Sequence, residues 1–313
     1  RRICNEIMGR FKIFLFLLFV LKITNSIYAG TDSVPTGGVV GTGQRTVKIL
    51  AIGNSFSEDA IEQNLYELAK AEGIELVIGN LMKGGGALED HWRNISGDIA
   101  DYSYRKIMNG IRTVSNELKT IGMVIKEEDW DYISIQQVSG YSGILASHDD
   151  LSKIMNYLRE NAVNPRVKFI WHQTWAYAES SPHDHFAHYD RDQMKMYKAI
   201  ADVSKRISED EAIDIIIPSG TAIQNGRSSY IGDNFTRDGF HLDEKIGRYT
   251  AACAWFEKLF NIDVRNNTYV QPGLSDSEAQ VARTAAHFAV RSPFEITSLV
   301  NIKEKRVSKN PCT

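Results

Sequence analysis

The 313-residue chain carries 36 basic and 39 acidic side chains, a net charge of -3 and 43% hydrophobic residues. That balance excludes a disordered or fibrous chain, and lysines and arginines scattered singly leave no basic footprint for nucleic acid or an anionic membrane surface. The length supplies a sizeable core and permits two domains without requiring them.

The N-terminal stretch reads as an export signal. Met8-Gly9-Arg10-Phe11-Lys12 gives a positive start, residues 13–21 form an unbroken apolar segment, and Ser26-Ile27-Tyr28-Ala29 offers a small-residue cleavage site before Gly30. The segment is too short to span a bilayer as a mature helix, and no Cys follows the cleavage site to take a lipid. Residues 1–29 are expected to be a signal peptide, with 1–7 upstream of its start. The mature protein is then periplasmic or secreted, with no stable membrane anchor. Residues 30–46 are a Gly, Thr and Ser rich leader, 47–295 a single domain and 296–313 a C-terminal tail. Cys253 sits in an apolar helical run and Cys312 in the tail, so the fold is not expected to depend on a disulfide.

From Val47 short β-type runs alternate with longer helical ones. Strands are expected at 47–52, 74–78, 132–136, 167–171 and 213–217, and helices at 59–72, 151–161, 189–207, 243–259 and 275–289. Between Tyr102 and Lys126 the pattern is mixed, with a hairpin signal at Asn109-Gly110 and then a helix over 118–125. The alternation predicts an α/β fold, a three-layer α/β/α sandwich around a central parallel sheet of about five strands.

The first strand runs into Gly53-Asn54-Ser55-Phe56, so a small hydroxyl stands at the carboxyl end of a strand and the start of a helix. That position favours a nucleophile, although a Ser at such a turn also reads as a helix cap. Ser55 is the candidate nucleophile and Ser57 the expected cap. Three consecutive glycines, Gly84-Gly85-Gly86, follow the second strand. Late in the chain Asp238-Gly239-Phe240-His241 places an Asp three residues before a His, a spacing that lets the carboxylate orient the imidazole.

These motifs, with Gln136-Gln137 ending the third predicted strand and Gly247-Arg248-Tyr249 after the Asp-His pair, resemble the SGNH (GDSL-like) hydrolase superfamily. More narrowly, the chain resembles an exported bacterial subgroup related to carbohydrate acetylesterases. The resemblance spans residues 47–260, with Ser early and Asp-x-x-His late; no G-x-S-x-G of the α/β-hydrolase type occurs. It implies a flavodoxin-like SGNH fold and a mechanism without metal or cofactor. Ser55 would be the nucleophile, His241 the base and Asp238 its orienting group. The oxyanion hole would comprise the N–H of Ser55, the N–H of Gly85 and the side-chain amide of Gln137, with Gly86 and Gln136 as alternatives. Gln stands where many members carry Asn.

Trp175 and Tyr177, after the fourth predicted strand, are candidates to stack on a sugar at the rim; in the competing reading Trp171 is core and only one of the two is exposed. His183, His185 and His188 are metal-ligand types but lack a fourth ligand at a recognised spacing, so a polar loop near the entrance is expected instead. No P-loop or G-x-G-x-x-G supports nucleotide binding. The expected function is an exported serine esterase acting on O-acetyl groups of a carbohydrate or small-molecule ester. The alternative is a catalytically inert carbohydrate-binding protein on the same scaffold.

Overall fold

The computed structural model describes residues 46–209 and 212–302. The expected signal peptide, the leader before Thr46 and the end of the tail lie outside the described residues.

In chain order the elements are β1 (Val47–Gly53), α1 (Ser55–Ile61), α2 (Leu65–Ala71), β2 (Leu76–Met82), α3 (Leu88–Ser96), β3 (Ser103–Met108), β4 (Ile111–Val114), α4 (Ile121–Ile125), β5 (Tyr132–Ile135), α5 (Leu151–Asn161), β6 (Lys168–His172), α6 (Gln193–Ser208), β7 (Ile215–Ile217), α7 (Ser219–Arg227), α8 (Ile246–Phe260) and α9 (Asp276–Arg291). The strands form one sheet in the order β4-β3-β2-β1-β5-β6-β7. The five expected strands are all present and mutually parallel; β3 extends the β2 edge antiparallel to it, and β4 pairs antiparallel to β3. The parallel strands alone run in flavodoxin-like order, so the connections diverge to either side of β1 at its carboxyl end, where such sheets bind ligands.

Alternation along β1 sends Ile49 and Ala51 to one face, packed with α1, α2, α7, α8 and α9, and Leu50 and Ile52 to the other, packed with α3, α4 and α5. Because both faces are covered, the central strands read as apolar runs rather than alternating ones. The Asn109-Gly110 signal is a real hairpin turn, with both residues at positive φ (53° and 73°) as a type I′ turn requires. The helix expected over 59–72 is two helices, because Asn64 takes a φ of 67° between them. The helix expected from 189 starts at Gln193, since Asp190 and Arg191 are also at positive φ and Asp192 caps it.

Two helices have no counterpart in the periodicity. In α7 every residue is buried, including Ser219, Thr221, Gln224, Asn225 and Arg227, so its polar side chains mark no solvent face that would reveal a helical period. The other, α3, follows directly from the glycine loop. Past Glu295 the chain still belongs to the domain: Leu299 is buried, Thr297 N–H donates to Asn225 Oδ1 and Leu299 N–H donates to Ser228 Oγ. Cys253 is a free, buried thiol. Among the described residues no helix is long and apolar enough to cross a membrane.

Gly79 lies mid-strand in β2, where an added Cβ would come within 2.8 Å of the Trp130 ring and 3.1 Å of Leu50. Gly79→Ala is expected to lower stability by about 1–3 kcal/mol through overpacking, read as a fall in the urea midpoint at unchanged m value.

Candidate active site

Ser55 is the first residue of α1, so its N–H has no acceptor within the helix and its hydroxyl stands at the carboxyl edge of the sheet. The helix is capped by Asn54, whose Oδ1 accepts from Phe56 N–H at 2.9 Å. The expected cap, Ser57, instead lies one turn in, with Oγ 2.7 Å from Asn54 O and 2.9 Å from Asn80 Oδ1. Asn54 takes the cap because it precedes the helix in extended geometry.

His241 Nε2 lies 2.9 Å from Ser55 Oγ, and its Nδ1 lies 2.6 Å from Asp238 Oδ2. The other carboxylate oxygen, Oδ1, accepts from the N–H groups of Phe240 (3.1 Å) and His241 (2.7 Å). Burial works against ionisation of Asp238, but the bonds from the His241 ring and these two N–H groups outweigh it and hold the carboxyl below its ordinary range. Asp238 therefore stays ionised beside the ring, which presents Nε2 to the serine as an acceptor. Gly239 has a φ of 91°, and a Cβ there would come within 2.8 Å of Ser181 Cα. The turn between Asp and His needs glycine on both counts.

Asp59 holds this loop to the nucleophile helix. It lies one turn after Ser55, is 1% exposed, and accepts from Arg237 Nη1 (3.1 Å), Arg248 Nε (2.9 Å) and Leu242 N–H (2.8 Å). A second bridge joins it to Arg248 Nη2 at 2.7 Å. Arg237 and Leu242 bracket the Asp-His turn, so this buried cluster sets where His241 stands. Sequence reasoning assigned Asp59, Arg237 and Arg248 no role; the available signal was an acid four residues after the serine and a base just before the Asp-His pair.

The glycine loop turns on a bond from Gly86 N–H to Lys83 O at 2.9 Å. With Gly86 N–H so committed, Gly85 is the one of the two that offers a free N–H, and nothing lies within 4 Å of a Cβ built on Gly84 or Gly85. Gln137 does not supply the expected third donor. Its Nε2 donates to Ser147 O at 2.6 Å, and its Oε1 accepts from Leu88 N–H at 3.0 Å and Val138 N–H at 2.8 Å. Gln136 is also turned into the fold, donating to Asn54 Oδ1 at 3.0 Å and accepting from His172 Nδ1 at 2.8 Å. Both glutamines brace the site from beneath.

Trp175 and Tyr177 are not rim residues; both are fully buried, as is Trp171. After β6 the chain passes under the Asp-His loop, with Ala178 N–H donating to Gly239 O at 2.8 Å. Trp175 stacks on Phe56 (4.2 Å, 4°) and donates through Nε1 to Phe240 O at 2.8 Å, so it ties the nucleophile helix to the base loop. The Tyr177 hydroxyl pairs with Ser139 Oγ at 2.8 Å.

Of the three imidazoles in the 183–188 stretch, His183 packs edge-on to Phe240 at 4.7 Å, and His185 and His188 stack on Tyr141 at 4.9 and 5.6 Å. Stacked rings do not converge their nitrogens on an ion. Ligand atoms do come together at Glu257, Asp263 and His287, but there His287 Nδ1 donates to Glu257 Oε1 at 2.8 Å as an ordinary buried pair. A cleft of about 280 Å³, lined by Ala87, Glu89, Gln137, Tyr141 and Asp149 among others, opens beside the glycine loop.

Ser55, His241 and Asp238 thus form one hydrogen-bonded chain at the carboxyl edge of a flavodoxin-like sheet, the arrangement expected from the sequence. The sequence matches the model of a domain of unknown function, DUF4886, over residues 48–289, and the chain belongs to that family. A DUF4886 family protein from Bacteroides uniformis ATCC 8492, known from its crystal structure, is 47% identical, with a TM-score of 0.80 covering 83% of this chain and 100% of that one. Weaker similarity extends to a family 3 carbohydrate esterase of Clostridium thermocellum (14% identity, TM-score 0.43, 71% of this chain and 98% of that one). A catalytic mutant of the acetylxylan esterase Axe2 from Geobacillus stearothermophilus is similar to the same degree (14%, 0.44, 71% and 96%). Likenesses of that size say nothing of chemistry. No curated protein matches the sequence.

Removing the Asp59 carboxylate would leave Arg237 and Arg248 facing each other without a counter-charge. Asp59→Ala is expected to cost about 3 kcal/mol in chemical denaturation and to free the Asp-His loop, seen as faster amide exchange at residues 237–242.

Proposed function

We propose that this protein is an exported serine hydrolase that cleaves acyl esters, with acetyl groups on a carbohydrate as its substrate class. The observation that carries the hydrolase reading is the unbroken chain from Ser55 Oγ through the His241 ring to Asp238, at 2.9 and 2.6 Å. The acetyl and carbohydrate parts rest on the resemblance of the motifs to carbohydrate acetylesterases, and export rests on the N-terminal signal pattern.

In this reading His241 Nε2 takes the Ser55 proton as Oγ attacks the ester carbonyl. The N–H groups of Ser55 and Gly85 receive the oxyanion, each contributing about 2.7–4 kcal/mol to the barrier reduction. His241 then hands its proton to the departing alkoxide, and water, activated by the same ring, releases the acyl group. Asp238 stays ionised throughout and stabilises the imidazolium. The inert-binding alternative drew on Gln in place of the usual Asn and on an exposed aromatic rim; the burial of Trp175 and Tyr177 takes the second motive away, and labelling of Ser55 decides the first.

Purified protein is expected to hydrolyse 4-nitrophenyl acetate and to be labelled at Ser55 by a fluorophosphonate probe. Ser55→Ala and His241→Ala should abolish both, and Asp238→Asn should lower kcat roughly 10³–10⁴-fold. Wild-type turnover in the Ser55 or His241 variant would refute the assignment.

A further inference from the structure

A line of buried side chains crosses the carboxyl edge of the sheet in strand order. Ser219, after β7, lies 2.9 Å from Nε2 of His172, the last residue of β6. His172 Nδ1 lies 2.8 Å from Oε1 of Gln136, just past β5. Gln136 Nε2 donates to Asn54 Oδ1 at 3.0 Å, past β1, and Asn54 Nδ2 donates to Gly86 O at 3.0 Å, in the loop after β2. Asn54, Gln136, His172 and Ser219 are each 2% exposed or less.

We propose that Gln136, His172 and Ser219 are positioning residues that lock the glycine loop through Asn54, as a relay that works in one direction only. The inference rests on the reading of Ser55 as nucleophile and Gly85 N–H as an oxyanion donor.

The direction follows from two backbone groups at one end. Phe56 N–H can only donate and Gly86 O can only accept, so Asn54 must turn Oδ1 to the first and Nδ2 to the second. Gln136 then has to present its NH₂ to Asn54 and its oxygen to His172. The imidazole must therefore carry its proton on Nδ1 and accept the Ser219 hydroxyl proton at Nε2. Burial pushes the His172 pKa down to about 3, so the ring is neutral and has one proton to place. Reversing one link alone would set like groups against each other at a neighbouring one, and turning the whole line would set the Asn54 oxygen against Gly86 O and push the loop away. The loop has open space beside it, since nothing lies within 4 Å of a Cβ built on Gly84 or Gly85.

Gln136→Glu tests this with a near-isosteric change. An ionised Glu has no proton for Asn54, whereas a protonated one can donate to Asn54 Oδ1 and still accept from His172, the titratable group bonded to this position. We expect kcat on 4-nitrophenyl acetate to fall about 10²–10³-fold near pH 8 with KM changed less than about twofold. The ratio of variant to wild-type kcat should recover at least about tenfold by pH 5.5, as the buried carboxyl protonates. Ser219→Ala, a milder change, should lower kcat about fivefold. By ¹⁵N NMR the wild-type His172 ring should show the Nδ1–H tautomer throughout this pH range, and the Gly85 and Gly86 amide signals should shift in Gln136→Glu.

A folded Gln136→Glu with near wild-type kcat, or with a pH-independent ratio, overturns the proposal. So does a proton on Nε2 of His172, or unmoved Gly85 and Gly86 signals. If wild-type protein neither turns over esters nor is labelled at Ser55, the hydrolase reading fails by itself, and the NMR results alone decide whether the relay holds the loop.

Discussion

Asp59 is a carboxylate almost without access to water, and the placement of Ser55 relative to His241 depends on it. It shares α1 with Ser55 and gathers Arg237, Arg248 and the Leu242 N–H, which flank or follow the Asp-His turn. Burying a charge costs several kcal/mol unless the partners are well placed, so such a cluster is a poor source of stability and a good source of geometry. A hydrophobic contact there could hold the loop down as firmly. It could not fix the loop's register on the helix to a few tenths of an ångström, which the 2.9 Å contact between His241 and Ser55 requires.

Around that clamp the site is braced by contacts of different character. Phe56, Trp175 and Phe240 give an apolar seam on one side of His241, closed by the Trp175 Nε1 bond to Phe240 O. Gln137 fixes the start of α3, and with it the far end of the glycine loop. The Asp-His pair stays accessible, with 22% of the His241 side chain and 40% of the Asp238 side chain exposed. Rigidity thus comes from the layer below and access from the lack of one above, an arrangement suited to a site whose donors must be aimed before the substrate arrives.

Much of this was legible in the sequence. The three residues of the hydrogen-bonded chain stand on short motifs whose local geometry is almost self-determined: a strand-helix turn and an Asp-x-x-His loop with a glycine inside it. The five parallel strands were legible because strands buried on both faces are apolar runs. What failed to show depends on contacts far apart in sequence. The spacing of Gln136 and Gln137 after a strand cannot say which way two adjacent amides turn, and here both turn down. Trp175 and Tyr177 look like rim aromatics until the path of the chain after β6 is known. α7 is hidden because a helix buried all round carries no period, and the one-turn relation of Asp59 to Ser55 is visible but mute without Arg237, 178 residues away.

That buried α7 also bears on where the domain stops. The family match ends at residue 289, and a boundary drawn from sequence falls at 295. Yet the backbone of Thr297 and Leu299 is bonded to side chains at the end of α7, and Leu299 fills the core beside it. A recombinant fragment trimmed to the recognisable family region would strip the covering from a helix that is buried along its whole length. Its first residue, Ser219, is where the line of buried side chains begins, so such a fragment would be a poor proxy for the intact domain even if it expressed.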